Sequence, residues 1–368
     1  MKKVINCVIQ RFREMMFENQ SKQALKLIWT DFSKKCELKK LTPEQITQIQ
    51  DYWEPLVGKK VSTKWHQLIF SITGVFNPKY EPFEVCMKVQ NTLSPIRSQW
   101  HFDDKGLYRQ LLTGFNIPIR VAECVNGVYL IPTKNQSEVN FETFVKSLEN
   151  INDCIIKPSR ETDGGNGVMA FDVENGIVSS TGEPVKKYIL DYQSKYGKNY
   201  VIEKKLRECE NLQCLNPTSV NSLRVHTYRD RSKHEIVFLS SYLRIGKLGK
   251  VVDNAHSGGF CARINSEGYL DRIVRVYPYL QGTTTESGVD VRNYKIENYE
   301  KLIETVKQAH SALPMFDLIG WDVIVDSSDE VVIIEFNPNP DVRIEQCVFD
   351  NTCLGEFQEE IVRRVYNR

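Results

Sequence analysis

The sequence predicts an α+β protein, in which helices and strands occupy different stretches of the chain. Apolar residues recur at helical spacing within residues 1–80, as expected for amphipathic helices. From about residue 150 onward, short runs of β-branched and aromatic residues alternate with turn-forming Gly, Asn, Asp and Ser. These predicted strands cover 154–158, 168–173, 200–206, 222–228, 235–245, 259–264, 321–326 and 330–336. Helical patterns return at 184–196, 298–312 and 354–366, and the polar stretch 281–298 predicts a long surface loop.

The length and composition limit the architecture and the class of partner. With 368 residues, the chain exceeds the typical domain of about 100–200 residues, so we expect several packed parts. Hydrophobic residues make up 41% and charged residues 26%, which excludes a disordered or fibrous chain. A formal net charge of +1 argues against electrostatic binding of nucleic acid by the chain as a whole, so no nucleic-acid partner is expected.

The N-terminal sequence predicts neither export nor membrane insertion. The apolar residues after Met1 are interrupted by Asn6, Gln10 and Arg11, so the sequence lacks a signal-peptide core of about 7–15 apolar residues. No run of about 18 apolar residues, as a membrane-spanning helix needs, occurs in the sequence. The 10 cysteines include no CxxC pair, which favours reduced thiols over a zinc site. We therefore expect a cytoplasmic protein without a transmembrane segment.

The N-terminal helices carry a start signal and a basic charge excess. Thr42, Pro43 and Gln45 match the N-cap, the first helical position and the third position of a capping box. A further helical stretch covers residues 65–72. Over residues 1–60, lysine and arginine outnumber aspartate and glutamate by 12 to 7. This excess fits either a solvated helical surface or a face for an acidic or membrane-associated partner.

A pair of acid-bearing strands gives the strongest local pattern, GWDVIVDSSDEVVIIEFNPNP at 320–340. Two β-branched runs flank a polar turn, as in a β-hairpin. A turn centred between residues 328 and 329 predicts three cross-strand pairs: Asp322 with Glu335, Ile324 with Ile333, and Asp326 with Val331. Because side chains alternate between faces, Asn337 shares the face of Glu335.

This hairpin gathers a donor set suited to a metal ion. Like charges directly opposite each other destabilise a sheet, so the pairing of Asp322 with Glu335 calls for a compensating charge. Mg²⁺ binds carboxylate and amide oxygens and leaves positions for phosphate and water. The alternative is a surface hairpin whose carboxylates are simply solvated. The residues alone leave both interpretations open.

A lysine and a glycine-rich loop follow each other in CIIKPSRETDGGNGVMAF at 154–171. Lys157 ends an apolar strand, from which its ammonium group can reach a phosphate. Gly164, Gly165 and Gly167 can offer backbone N–H groups to a polyphosphate. The spacing is neither a P-loop nor a dinucleotide-binding fingerprint. An ordinary glycine-rich hairpin turn is the alternative interpretation.

Two later strands offer groups for a nucleotide. In YVIEKKLRECE at 200–210, Glu203 ends an apolar strand and Leu206 continues into a connector whose main chain can bond an adenine. Glu210 can accept a hydrogen bond from a ribose hydroxyl. Arg224 lies in the middle of an apolar strand, where a guanidinium needs an anionic partner. That partner is either a bound phosphate or an ordinary acidic side chain.

Taken together and in this order, the motifs resemble the ATP-grasp superfamily, from about Asp104 to Gln346. The motifs are DK followed by NIP at 104–118, IKPS…GGNGV, VIEKKL, NSLRV, VDNAHSGGF and GWDVIV…VVIIEFNPNP. The combination of SVNSLR, VDN..SGG and GWD…EFN is most similar to the sugar-transfer-associated ATP-grasp family, which is found near capsule and other surface-polysaccharide genes.

The resemblance implies an α+β ATP-grasp fold in which two subdomains grip ATP. It divides the chain into an N-terminal helical region at 1–80, a small α/β part at 81–149, a small subdomain at 150–210 and a C-terminal subdomain at 211–368. The small subdomain would hold the glycine loop and the adenine-binding strand. The C-terminal subdomain would hold the metal site and the acceptor site.

The resemblance also implies roles for single residues. Lys105 and Lys157 would contact ATP phosphates, with Gly164, Gly165 and Gly167 over them, while Glu203 and Leu206 would frame the adenine and Glu210 would hold the ribose. Asp322, Glu335 and Asn337 would bind one or two Mg²⁺ ions, or Mn²⁺ in their place. Arg224 would act with Lys157 on the transferred phosphate, and Asn254, Ser257, Gly258 and Gly259 would lie near the acceptor.

The implied activity is an ATP-dependent, ADP-forming carboxylate–amine ligase that works through an acyl-phosphate, in surface-polysaccharide or related conjugate biosynthesis. Its substrates would be a small carboxylate and an amine, either of which can be sugar-linked. One alternative is a kinase that phosphorylates a hydroxyl group. Another is a nucleotide-binding partner module of a glycosyltransferase, which would use the basic N-terminal helices. Association with a membrane surface or into a homo-oligomer stays open.

Overall fold

The computed structural model describes residues 2–35, 37–95, 98–99, 102, 104–132, 137–160, 165–249, 258–275, 279–343 and 345–367. Its α-helices are α1 (Lys2–Lys35), α2 (Pro43–Val57), α3 (Lys64–Thr73), α4 (Phe83–Leu93), α5 (Tyr108–Leu111), α6 (Phe141–Ser147), α7 (Val185–Tyr196), α8 (Glu210–Gln213), α9 (Tyr299–Ser311), α10 (Glu345–Phe349) and α11 (Gln358–Tyr366). Short 3₁₀ turns cover Lys105–Leu107 and Gly355–Phe357.

The strands are β1 (Arg120–Val125), β2 (Val128–Ile131), β3 (Ser137–Val139), β4 (Cys154–Pro158), β5 (Met169–Ala170), β6 (Val173–Glu174), β7 (Ile177–Val178), β8 (Glu183–Pro184), β9 (Tyr200–Lys204), β10 (Leu223–Asp230), β11 (Glu235–Ile245), β12 (Phe260–Ile264), β13 (Leu270–Arg275), β14 (Leu280–Gly282), β15 (Leu318–Val325) and β16 (Val331–Asn337). Antiparallel sheets together with helices confirm the α+β class.

The chain forms two compact units, Met1–Pro95 with Asn339–Arg368 and Ile96–Pro338. The first unit is helical. Its α2 begins with the predicted capping box, in which the Thr42 hydroxyl accepts from the Gln45 N–H and the Gln45 side chain accepts from the Thr42 N–H. In this unit α11 packs against α2 and α4, and Trp53 is fully buried. Within the described residues, no helix has the length and apolar character needed to span a bilayer.

The Ile96–Pro338 unit contains two larger antiparallel sheets. The first sheet has the strand order β3-β2-β1-β9-β4-β5. Residues of α6 and α7 pack with it around buried aromatic side chains, including Phe144, Tyr192 and Tyr200. A small ribbon of β6, β7 and β8 completes this part of the unit. The second sheet has the order β14-β13-β12-β11-β10-β15-β16, and α9 packs against it through Leu302 and Val306.

Residues 281–298 form the mostly exposed surface segment that their polar composition predicts, but buried apolar residues anchor it. Val291 and Ile296 are fully buried in the core of the second sheet. The Val291 N–H donates to the Thr283 carbonyl at 2.8 Å, and the Ile296 N–H donates to the Gly268 carbonyl at 2.9 Å. A few apolar anchors between polar residues therefore hold this segment against the sheet, which composition alone could not indicate.

Candidate functional site

The β15–β16 hairpin places Asp322 directly opposite Glu335, which confirms this predicted cross-strand pair. Asn337 lies two residues beyond Glu335 on the same strand and therefore on the same face. The side-chain nitrogen of Asn337 is buried and has no hydrogen-bond partner among the described residues. Two carboxylates and one carboxamide thus gather on one side of these strands.

The strand register beyond Asp322 differs from the prediction by one residue. A β-bulge between Asp322 and Val323 shifts the pairing, so Ile324 lies opposite Val332 and the predicted pair of Ile324 with Ile333 is wrong. The alternation of side-chain types continues on both sides of a bulge. The sequence pattern therefore does not indicate that one strand contains an extra residue.

The turn of the hairpin also differs from the prediction. The Asp326 carboxylate accepts hydrogen bonds from the backbone N–H groups of Ser328 at 2.8 Å and Glu330 at 3.0 Å. The Asp326 N–H donates to the Glu330 carbonyl, so the predicted pair of Asp326 with Val331 is wrong. Asp329 has a φ of 59°, the left-handed conformation that closes a three-residue hairpin loop.

Two arginines hold the carboxylate of Asp322. Arg224 Nε lies 2.5 Å from Oδ1, and Arg244 Nη2 lies 2.8 Å from Oδ2. Arg244 is itself held by the Ser222 hydroxyl, which accepts from its Nη2 at 2.8 Å. Burial raises the pKa of Asp322, but Arg224 and Arg244 outweigh burial and hold this pKa below its ordinary value. Asp322 is therefore an ionised acid between two cations.

Lys105 connects the acidic hairpin with the first sheet. Its ammonium nitrogen lies 3.3 Å from the Glu335 carboxylate. Its backbone N–H donates to the Ser159 carbonyl at 2.9 Å, and its carbonyl accepts from Arg120 Nη2 at 2.9 Å. The Lys105 side chain is only 9% exposed, so its charge is held at this position rather than in solvent.

A chain of buried ion pairs crosses the first sheet. Lys157 Nζ on β4 lies 2.7 Å from Glu203 Oε2 on β9. The other oxygen of Glu203 accepts from Arg120 Nη2 at 3.1 Å, and Arg120 also pairs with Glu123. Burial raises the pKa of Glu123 despite the opposing effect of Arg120. The predicted phosphate-binding lysine and the predicted adenine-binding glutamate thus neutralise each other in this structure.

The glycine loop is described from Gly165 onward, and Gly164 lies outside the described residues. Gly165 and Gly167 both have positive φ, 75° and 79°, which glycine adopts without strain. A Cβ added at Gly167 would lie 2.8 Å from Pro158 Cγ. The loop therefore returns in close contact with the end of the strand that carries Lys157.

The remaining predicted nucleotide ligands follow β9. Leu206 is half-buried, and Glu210 is exposed at the start of α8. Between them, the Arg207 carbonyl accepts from Ser327 and the Cys209 N–H donates to Val325. These two backbone bonds fasten the connector to the β15–β16 hairpin, so the β9 end stays close to the second sheet.

The predicted acceptor residues are only partly described. Asn254 and Ser257 lie outside the described residues, as does His256. Gly258 has a φ of 90°, and Gly259 directly precedes β12. A left-handed residue just before a strand is a position that favours glycine.

Two histidines lie in the second sheet and its helix. His310 Nδ1 accepts from the Thr227 hydroxyl at 2.7 Å, and Nε2 donates to the Phe316 carbonyl at 3.1 Å. Thr227 in turn accepts from Trp321 Nε1 at 2.8 Å. Burial lowers the pKa of His310 to about 4, so the ring is neutral near pH 7. His226 is fully buried with Nδ1 3.2 Å from the Ser240 hydroxyl. These contacts make His310 a core residue.

Three charged residues of this site were not singled out in the sequence: Arg244, Arg120 and Glu123. Arg244 stands in the apolar run EIVFLSSYLRI, as Arg224 does in its own strand, so the same signal could have identified it. Arg120 and Glu123 belong to β1, whose short RVAECV sequence does not alternate clearly enough to predict a strand.

Comparison with protein families gives a match to the sugar-transfer associated ATP-grasp model over residues 88–360, roughly three quarters of the chain. Among solved structures, the VanG D-Ala:D-Ser ligase from Enterococcus faecalis is similar at 12% identity and a TM-score of 0.41, covering 75% of this chain and 63% of that one. Biotin carboxylase from Campylobacter jejuni is similar at 13% identity and a TM-score of 0.42, covering 77% and 48%.

A third similar structure is the N5-carboxyaminoimidazole synthetase from Staphylococcus aureus complexed with ADP, at 11% identity and a TM-score of 0.37, covering 69% of this chain and 52% of that one. This chain thus spans about half to two thirds of the length of these structures. No match is found among curated proteins. The family model, which covers most of the chain and includes both larger sheets, is decisive: this chain belongs to the sugar-transfer associated ATP-grasp family.

Proposed function

We propose that this chain is an ATP-dependent carboxylate–amine ligase whose reacting phosphate lies beside the β15–β16 hairpin and the ends of β4 and β9. One observation carries the proposal. Lys105 contacts Glu335 through its ammonium group and bonds Ser159 through its backbone, two residues after Lys157. The same place thus offers cations, which the phosphates of a nucleoside triphosphate need, and acidic oxygens, which a metal ion needs.

For the nucleotide, we propose that Lys105 and Lys157 bind phosphates and that the glycine loop, Gly164, Gly165 and Gly167, lies over them. Glu203 and Leu206 would bind the adenine, and the exposed Glu210 would bind the ribose. The Lys157–Glu203 ion pair supports this assignment. When a phosphate binds, it can replace Glu203 as the partner of Lys157, and the Glu203 carboxylate can then accept a hydrogen bond from the adenine amino group. Removing one partner of a buried ion pair without replacement costs several kcal/mol, about 3–5.

For the metal, we propose Asp322, Glu335 and Asn337 as ligands of Mg²⁺, with Mn²⁺ as a substitute. Their oxygens form a hard donor set on one face of the hairpin. A bound metal would neutralise charge that develops on the phosphates during transfer. Asp322 retains acceptor capacity beyond its two arginines, because an ionised carboxylate has about four lone-pair sites.

The proposed reaction has two steps. An oxygen of the substrate carboxylate attacks the γ-phosphorus, the bond to the β-phosphate oxygen breaks, and an acyl-phosphate and ADP form. The amine then attacks the acyl carbon, the bond from that carbon to the phosphate oxygen breaks, the leaving phosphate takes up the proton that the amine loses, and an amide remains. Arg224 and Lys157 stabilise the anionic phosphoryl group, and Arg244 acts with Arg224. No covalent protein intermediate is needed.

For the substrates, we propose a small carboxylate and an amine of a surface-glycan precursor, as the family's description as sugar-transfer associated suggests. Asn254, Ser257, Gly258 and Gly259 would contact the acceptor. The basic N-terminal helices would provide a contact for a glycosyltransferase or a membrane surface.

The reaction can be identified by phosphorus NMR of the purified protein with Mg-ATP and pooled amino acids, uronic acids and their nucleotide-linked forms. We expect substrate-dependent formation of ADP and free phosphate. A new phosphoester peak with ADP would instead identify a kinase, and AMP with pyrophosphate would identify an adenylating enzyme. Either of these results would overturn the ligase proposal.

A further inference from the structure

A tyrosine outside the proposed ligand set holds the end of the glycine loop. The Tyr192 hydroxyl on α7 donates to the Gly167 carbonyl at 2.8 Å. Tyr192 is only 4% exposed, and Gly167 is also buried. Burial raises the pKa of Tyr192, so its hydroxyl remains a proton donor near neutral pH. The bond is therefore shielded from water, and its donor stays protonated.

The bonded glycine has a fixed position relative to Lys157. An added Cβ at Gly167 would lie 2.8 Å from Pro158 Cγ and 3.1 Å from Tyr196 Cδ1, closer than side-chain carbons pack. Pro158 directly follows Lys157 on β4. The contact with Pro158 and the bond from Tyr192 thus fix Gly167 from two directions beside the lysine.

The ring of Tyr192 is itself held by aromatic neighbours. Its centroid lies 4.8 Å from that of Tyr196 and 5.6 Å from that of Tyr200. Tyr200 is fully buried on β9, and its hydroxyl accepts from Gln193 Nε2 at 2.9 Å. Because Tyr200 lies in the core of the first sheet and the half-buried Tyr196 packs against that core, these contacts restrict the orientation of the Tyr192 ring and hydroxyl.

We propose that Tyr192 is a positioning residue for the nucleotide, which sets the orientation of the Gly167 peptide beside Lys157. The inference rests on the proposed function and adds a residue that touches no substrate itself. The N–H groups that the loop can offer to a phosphate are those of its glycines, Gly165 and Gly167 among them, and their positions depend on how the end of the loop is anchored. The bond fixes the peptide unit between Gly167 and Val168, whose own N–H donates to the Gly165 carbonyl at 3.2 Å, so this unit anchors the end of the loop and does not itself bind a phosphate.

The test compares Tyr192→Phe with Tyr188→Phe in the full chain. Tyr188 lies one turn earlier on α7 and is similarly buried, but its hydroxyl contacts the Met169 sulfur at 3.5 Å rather than the loop. Calorimetric titration with Mg²⁺ and a non-hydrolysable ATP analogue should show about 3- to 10-fold weaker binding for Tyr192→Phe, the equivalent of one lost hydrogen bond. Tyr188→Phe should bind within about twofold of the wild type.

Hydrogen–deuterium exchange of the peptide around residues 165–170, without nucleotide, gives the second measurement. Faster exchange there in Tyr192→Phe than in Tyr188→Phe supports the proposal. If Tyr192→Phe does not fold, Gly167→Ala provides the second variant, since it displaces the same carbonyl and should weaken binding similarly. Wild-type affinity and exchange in Tyr192→Phe would overturn the inference alone. A wild-type protein that binds no nucleotide would overturn the proposed function first.

Discussion

At the scale of single residues, a buried charge can stabilise the fold, bind a ligand, or do both. Glu203 accepts from Lys157 and Arg120, so it stabilises the first sheet whether or not it ever meets an adenine. Glu210, the proposed ribose ligand, is exposed at the start of α8. These two glutamates therefore allow the structural and the binding contributions to be measured separately.

We predict that Glu203→Gln lowers the free energy of unfolding by about 3–5 kcal/mol, because Lys157 and Arg120 lose their shared counterion in a buried place. Glu210→Gln should change it by less than about 0.5 kcal/mol and should still weaken ATP binding. Chemical denaturation and calorimetry measure the two quantities. Equal stability of Glu203→Gln and the wild type would show that the ion-pair chain does not support the sheet.

His310 gives a prediction on pH. Its pKa is about 4 in the folded protein, against 6.5 for an ordinary histidine, because burial opposes its charged form. The unfolded chain binds the proton more readily than the folded protein does. The contribution of neutral His310 to the free energy of unfolding is therefore fully present above pH 6.5 and is lost as the pH falls toward 4. The loss attributable to this residue is on the order of 3 kcal/mol.

Replacing His310 removes this titration. His310→Gln should be less stable than the wild type at pH 7.5, since it alters the bonds to Thr227 and Phe316. The difference between the two proteins should shrink as pH falls from 6.5 to 4. Denaturation at several pH values measures this, and a constant difference across the range would contradict a neutral His310 in the fold.

At the scale of elements, the β15–β16 hairpin shows what a sequence can and cannot specify. The turn predicted between residues 328 and 329 pairs Asp322 with Glu335 correctly, because the bulge offsets its displacement from the observed centre at Ser328. The sequence pattern could not reveal the bulge after Asp322, nor that the turn is centred on Ser328, because both depend on backbone geometry that no side-chain pattern records. The loop is instead held by the Asp326 carboxylate.

We therefore predict that Asp326→Ala lowers the free energy of unfolding by about 1–2 kcal/mol, since two backbone N–H groups lose their acceptor. Glu330→Ala is the matched control. Its only described ion pair is an exposed one with Lys301, so it should cost less than about 1 kcal/mol. Chemical denaturation compares the two variants. An equal effect of both would mean that the Asp326 bonds contribute nothing specific.

At the scale of the whole molecule, the order of the motifs along the chain predicted the family better than any single motif did. The capping box of α2, the α+β class and the family followed from local chemistry and motif order, and the structure and the family match agree with them. The ion-pair chain through Arg120 and Glu123 could not be predicted. Its members come from β1, β4 and β9, whose antiparallel pairing is a long-range property of the fold.

We propose that acidic oxygens of the β15–β16 hairpin and cations of the same unit bind Mg-ATP together. The most direct test of this proposal is calorimetric titration of ATP, with and without Mg²⁺, into the wild type, Glu335→Gln and Glu330→Gln. Glu330 lies on the same hairpin but is exposed and paired with Lys301, whereas Glu335 contacts Lys105. All three proteins should melt at similar temperatures, which establishes that they fold alike.

We predict Mg²⁺-dependent ATP binding by the wild type and by Glu330→Gln, and binding at least about tenfold weaker by Glu335→Gln, because a lost charged ligand costs about 1.4 kcal/mol or more. Affinity of Glu335→Gln equal to that of the wild type, with the same dependence on Mg²⁺, would contradict the claim that this hairpin holds the metal. Absence of ATP binding by the wild type would contradict the proposal that this unit contains a nucleotide-binding site.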